Sequence, residues 1–456
     1  MRFPHYLMVA ALMLAALFGL EIWGGVSDGV LTQAQGECTV TVQLGESIQA
    51  AIDQAAEGDV ICLAEGTWEE NLKIEKSLTL RGVDAEETVI DGVEEGYPVV
   101  WIQRPEEAQT VSVKVEGLKV TGAKGECVDW PICPHGVLIR GKAQADISQS
   151  TISGNRGDGI RLLGSAQATI SQSTISGNWY GIDLGDSAQA TIEGNLIQGN
   201  TSYGIISSSS GEVRGGGNKM HDNGVDLGGN LPGTLREPLV EATEEEILYP
   251  DAEGRYPTLQ HAVDALLPGG KLILRGEHAA GVTITKELTI VAQEGAEVTL
   301  VARGLGPAVL SLVGGARLTA VGLRLIGGFH GLLLGADAQA DISKSTISES
   351  VHGILLCDSA QATVSKSTIS ENVHGILLED SAQATIEGNL ILSNEDYGVV
   401  LFERPCFDTD RVFRGYVTGK QNTIPGPDEP DGNKKDAVCP EELDFLMTEE
   451  GGEYHG

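Results

Sequence analysis

At 456 residues the chain is long enough for one to three domains with a full core. It carries 30 Lys plus Arg against 65 Asp plus Glu, a formal net charge of −35. Such a surface repels phosphate backbones and argues against nucleic acid as a partner. With 60 glycines and only 5% aromatic residues, the composition favours narrow, repetitive β architecture over a bulky aromatic core.

Residues 1–34 read as a signal peptide. Arg2 and His5 precede an apolar run from Leu7 to Leu20, too short for a comfortable membrane span and suited to a signal core. Thr32-Gln33-Ala34 supplies a small-residue cleavage site, with an uncleaved anchor as the alternative. The expected location is secreted or cell-surface, with no membrane contact beyond this segment. Seven cysteines fit an oxidising compartment. Proximity pairs Cys38 with Cys62, Cys127 with Cys133, and Cys406 with Cys439, leaving Cys357 over; sequence alone does not fix connectivity. No Cys-His cluster has zinc spacing, so no metal ligand is assigned.

Next in the chain, Ser47 precedes Ile48, Ala51, Ile52 and Ala55, an amphipathic set ended by Gly58 that predicts a capped helix. Repeats follow. Gln144, Gln167 and Gln189 sit in Ala-Gln-Ala triplets spaced by 23 and 22 residues. Each triplet leads to an apolar position (Ile152, Ile175, Ile197), then to a Gly at 159, 181 and 204. Asn155, Asn178 and Asn200 recur before that Gly, where stacked amides can hydrogen-bond along the coil axis. A period of about 22 residues is too short for a helical hairpin and suits a coil of three short strands.

The pattern then starts again. Thr258 precedes Leu259, Ala262, Val263 and Leu266, ended by Pro268-Gly269-Gly270. Gln339, Gln361 and Gln383 repeat the triplet, and Asn372 and Asn394 the amide. Gln49 aligns with Gln260, Asp53 with Asp264 and Lys76 with Lys286; His135 matches His330, and Asn218 matches Asn422. Shifts in the offset place insertions near Ala123–Cys133 and Phe402–Arg411. The predicted fold is all-β: two tandem right-handed parallel β-helices, each opened by a capping helix that covers the exposed edge. The first copy spans 38–240 and the second 247–425, joined by an acidic junction at 241–246. Residues 426–456 read as an acidic C-terminal tail.

Ser47-Ile48-Gln49-Ala50-Ala51-Ile52-Asp53, with Asn71-Leu72-Lys73-Ile74 and Leu78-Thr79-Leu80-Arg81-Gly82, resembles the first coil of pectin-lyase-like β-helix proteins. Asp251 to Asp264, with Tyr256-Pro257-Thr258-Leu259-Gln260, is similar to the opening of pectin methylesterases. The later coils resemble parallel β-helix repeats, including those of mannuronan epimerases and periplasmic copper-binding proteins. The resemblance implies the fold, not the chemistry. Asp158-Gly159 is similar to one element of the polygalacturonase site, but Trp179-Tyr180-Gly181 and Tyr203-Gly204 stand where further catalytic groups would follow. Acid–base cleavage needs two groups held together. Tyr180-Gly181-Ile182-Asp183 resembles the epimerase motif, with Leu184-Gly185 in place of Pro-His. No catalytic residue is assigned.

The candidate binding residues lie just before each Gly: His135, Asp158, Tyr180 and Tyr203, then His330, His352, His374 and Tyr397. The histidines are about 4.8 Å apart by coil spacing, which suits either a stacked turn position or a metal pair. Trp130, Trp179, Tyr180 and Tyr203 suggest a stacking platform for sugar rings. Arg161 and Asp183 share one outward column, as binding groups or as an inter-coil ion pair. In the second copy that column reads Leu333, Leu355, Leu377 and Val400, an outward apolar stripe expected to be covered. The cover would be the segment after Phe402, the first copy or a partner. The expected function is binding of an extracellular polysaccharide or surface protein without catalysis. The alternative is a lyase, hydrolase or epimerase on uronic-acid polymers. No cofactor is required, with calcium left open.

Overall fold

A computed structural model describes residues 37–103, 110–128, 132–207, 211–302 and 307–456. Trp130 and the signal segment lie outside these residues. From Cys38 onward the chain is one compact unit, a right-handed parallel β-solenoid with three strands per coil. Among the described residues, no helix is long and apolar enough to cross a membrane.

The strands fall into two sets of three sheets. Those of the first half have eight, seven and seven strands; those of the second have nine, six and seven. The triplet glutamines are in register, Gln144 beside Gln167 beside Gln189, and Gln339 beside Gln361 beside Gln383. Period-two alternation sends Ala168 and Ile170 inward and leaves Gln167 and Thr169 exposed. Each half has its own continuous aliphatic core.

Helix α1 (Ile48–Gln54) is capped by Ser47, whose side chain accepts from the Ala50 N–H; helix α2 (Leu259–Ala265) is capped likewise by Thr258, whose side chain accepts from the His261 N–H. Their aligned residues make the same contacts. Gln49 exchanges hydrogen bonds with the Lys73 backbone, and Gln260 does so with that of Thr283. Lys76 donates to the Asp53 and Ala55 carbonyls, as Lys286 does to those of Asp264 and Leu266.

Two amide ladders run along the axis. Asn155 donates to Asn178, Asn178 to Asn200 and Asn200 to Asn223 at 2.9–3.1 Å, and Asn372 to Asn394 and Asn394 to Asn433 repeat the pattern in the second half. A second ladder links Asn195 to Asn218 and Asn389 to Asn422 at another corner, a role the sequence pattern did not suggest. Both ladders also satisfy buried strand carbonyls, such as those of Ile152, Ile175, Ile170 and Ile192.

The acidic C-terminal segment contributes strands to the second-half sheets. Asp436–Cys439 joins a sheet beside Tyr397–Leu401, and Gly452–His455 pairs antiparallel with Tyr416–Lys420. Leu443 and Leu446 are buried between them. The segment's acidic residues Glu441, Glu442 and Asp444 lie on the outer face, while Leu443 and Leu446, three positions apart, face inward. The junction is ordered too, since Glu244–Tyr249 is already the first strand of a second-half sheet. The pairs Cys38–Cys62, Cys127–Cys133 and Cys406–Cys439 are all bonded, with Cys357 free.

Candidate functional site

The two halves meet along their outward columns. In the first half the register sets Leu138, Arg161, Asp183 and Ile206 side by side; in the second it sets Leu333, Leu355, Leu377 and Val400. All four second-half side chains are buried, in one cluster with Tyr203, Val225, Ala308, Tyr397 and Cys406. Tyr180, Ile206, Phe402 and Phe407 pack against that cluster. The cover is thus double: the first half and the segment after Phe402. Polar contacts fix the seam. The Ser311 hydroxyl donates to the Leu227 carbonyl at 2.9 Å, and the Leu227 N–H donates to Thr283 at 3.2 Å. Arg236 joins Asp226 of the last first-half sheet strand to Asp264 of α2, bidentate to the latter at 2.9 Å.

Where the columns part, a cleft of about 810 Å³ opens between the halves. Its first-half wall holds Arg140, Arg161, Leu163, Asp186 and Ile206; the second-half wall holds His330, Leu333, Leu355, Cys357, Asp358, Glu379, Asp380 and Arg411. Two shallower grooves, of about 410 and 340 Å³, run along the Gln faces.

Behind the first wall lies a buried polar chain. Arg161 donates to Asp158 at 3.0 Å and pairs with Asp183. Asp158 approaches the His135 Nδ1 at 3.2 Å, and its backbone N–H donates to that nitrogen. One guanidinium faces two carboxylates, and burial raises the pKa of both; for Asp183 the Asp158 charge adds to the rise, while Arg161 opposes it. On the second wall, burial pushes Glu379 up to about 7 although Arg411 stands 3.5 Å away, and Asp380 and Asp358 add to the rise. Burial also raises Asp358 and lifts the Cys357 thiol well above its ordinary range.

The histidines stack as a column. His330–His352 and His352–His374 have ring centroids 5.2 Å apart, and Tyr397 lies 6.3 Å from His374. Each histidine Nδ1 lacks a hydrogen-bond partner. Burial holds His330 well below its ordinary pKa, brings His352 down to about 4 and lowers His374, so the stack is neutral near pH 7. Among the described residues, no group of three or more His, Cys, Asp or Glu is placed to hold a metal.

The aromatic candidates are brought together but not laid open. Trp179 and Tyr180 are 6.3 Å apart and Tyr180 and Tyr203 5.9 Å, centroid to centroid. Tyr203 is sealed under the second half, because the neighbouring leucine stripe needs an apolar cover, and only Trp179 remains exposed. A flat shelf of all three rings is therefore not present. The second-wall residues Asp358, Glu379, Asp380 and Arg411 were not singled out from the sequence. Their one signal was the break of an apolar stripe by Arg161 and Asp183 in the facing column.

The class defined by this fold is the right-handed parallel β-solenoid. The family described as a right-handed beta helix region matches residues 108–231, and the family described as periplasmic copper-binding protein (NosD) matches 306–415. No curated protein matches the chain. Similar solved structures include the A-module of a mannuronan C-5 epimerase from Azotobacter vinelandii, at 16% identity and TM-score 0.32, covering 86% of this chain and 91% of that one. An alginate lyase from Paenibacillus is 18% identical with TM-score 0.34, covering 66% of this chain and 99% of that one. A pectin methylesterase from Erwinia chrysanthemi is 11% identical with TM-score 0.31, covering 71% of this chain and 81% of that one.

Proposed function

We propose that the protein is exported and binds an extracellular polysaccharide in the cleft between two tandem β-helices, each opened by its capping helix, without turning the polymer over. The cleft carries this reading. It combines aliphatic side chains, Leu163, Ile206, Leu333 and Leu355, with polar groups on both walls, the usual make-up of a ligand site. Three disulfides fit an oxidising destination. Sugar rings have apolar faces and hydroxyl edges, so both kinds of lining are used. The test is a polysaccharide array read for binding and for product release. Binding without unsaturated or reducing ends from pectate, alginate or homogalacturonan is expected, and affinity should not change with a chelator. Turnover of any of these polymers ends the non-catalytic part of the reading.

A second reading rests on the raised carboxyls near both walls, Asp183 and Glu379. A carboxyl that keeps its proton near neutrality can act as a general acid. In that case the protein is a lyase, hydrolase or epimerase, and Glu379→Gln should abolish turnover while leaving binding in place.

A further inference from the structure

One face of the second half carries charges that find no partner within the chain. The strands Thr346–Ser348 and Thr368–Ser370 lie side by side in register, with Ile347 and Ile369 inward and the Thr and Ser side chains outward. The turn before these strands sets Lys344 beside Lys366, and the turn after them sets Glu349 beside Glu371. All four residues are exposed, and among the described residues none of them is in an ion pair. Like charges on adjacent coils, about 4.8 Å apart along the backbone stack, repel.

The backbone adds a second cost. Glu349 and Glu371 have φ of 61° and 59°, in the left-handed region, where the first half has Gly154 and Gly177. A side chain there carries strain that glycine avoids. The first half also has neutral Gln149 and Gln172 where the second has Lys344 and Lys366. The coil itself therefore requires neither charge column. On the next coil of the same face the outward positions are apolar, with Leu390 38% exposed and Leu392 half-buried.

The two columns are complementary but stand about 15 Å apart across the strand, too far to meet within one chain. A second copy related by a half-turn about an axis parallel to the solenoid brings them together. That rotation reverses the strand direction across the face and keeps each coil at its own level. Lys344 then meets Glu349 of the second copy, Lys366 meets its Glu371, and the Leu390–Leu392 pair meets its own equivalent. A two-fold axis along the strands would set Lys against Lys and Glu against Glu. We propose that the protein forms a symmetric dimer through this face, with the two solenoids side by side and parallel. None of these residues lines the cleft, so the dimer is independent of the cleft reading.

The test is sedimentation equilibrium on the full chain. A face a few coils tall belongs with small, reversible interfaces, so a dissociation constant on the order of 10 µM is expected, weakening about tenfold between about 0.05 and 0.5 M salt. The variant Lys344→Glu, Lys366→Glu makes the face wholly acidic, and Glu349→Lys, Glu371→Lys makes it wholly basic. Each alone should be monomeric, and an equimolar mixture of the two should dimerise at least as tightly as the native chain. Glu349→Gly, Glu371→Gly installs the first half's own turn residues and should weaken the dimer about tenfold without loss of folding. A native chain that stays monomeric at about 200 µM overturns the proposal. So does a dimer indifferent to the charge reversals, or a mixture of the two folded variants that remains monomeric. If either reversed variant fails to fold, the glycine variant decides, and unchanged dimerisation in it overturns the proposal.

Discussion

A buried ionisable group is tolerated only if its charge is paired or its proton equilibrium moves, and both solutions occur at the seam. Arg161 faces two carboxylates, so its removal would strand both of them. Arg161→Leu is expected to lower unfolding stability by about 3–5 kcal/mol, measured by denaturant titration. Glu379 shows the other solution. Its pKa is raised from 4.5 to about 7, so its stabilising contribution is complete below the unfolded value and is lost as pH rises through about 7. Glu379→Gln should match the native protein near pH 4 and exceed it by about 2 kcal/mol above pH 8. His352 has the opposite sign. Lowered from 6.5 to about 4, it contributes above its unfolded value and costs stability as pH falls toward 4. His352→Leu should therefore flatten the acid limb of the stability profile and leave the alkaline limb unchanged. Thermal melts across the pH range separate the two variants.

At the scale of elements, the coil period makes one residue type recur at one corner, and stacking converts recurrence into a ladder. Asn178 sits in the middle: its amide donates to Asn200 and to the Ile152 carbonyl, while its oxygen accepts from Asn155. Asn178→Leu leaves these buried groups unmatched and should cost about 2–4 kcal/mol, against a few tenths for Gln167→Ala on the exposed face. This corner was legible because Asn155, Asn178 and Asn200 precede a Gly at each repeat. The second ladder was not, since serines such as Ser150 and Ser173 occupy its other rungs and hide the period. The helix caps were legible from Ser47 and Thr258 because capping is a local matter of a few residues. Burial of Tyr203 and the far wall of the cleft were not, because they depend on how the halves meet. Arg161 and Glu379 are over two hundred residues apart and share no repeat position. Arg411 comes from the insertion after Phe402, which the offset located but could not orient.

At the scale of the molecule, two sets of three sheets, each around its own aliphatic core, are held together by a third apolar cluster. Leu355 lies in that cluster at 7% exposure, flanked in register by Leu333 and Leu377, and it also lines the cleft. Burying an aliphatic side chain of this size is worth roughly 1.5–3 kcal/mol. A carboxylate there loses that and adds a charge beside Asp358, Glu379 and Asp380. Because each half keeps its own core, the damage should fall on the seam. Leu355→Asp is expected to leave the far-ultraviolet spectrum intact while amide exchange rises at Tyr203, Val225 and Leu377, with a larger radius by small-angle scattering. Arg236→Met gives an independent cut at the other end of the seam, by stranding Asp226 and Asp264. If both variants loosen the same exchange-protected set, the halves dock through one cooperative interface. If Leu355→Asp changes neither exchange nor stability, the stripe does not hold the halves together and the cleft has no fixed width to select a ligand.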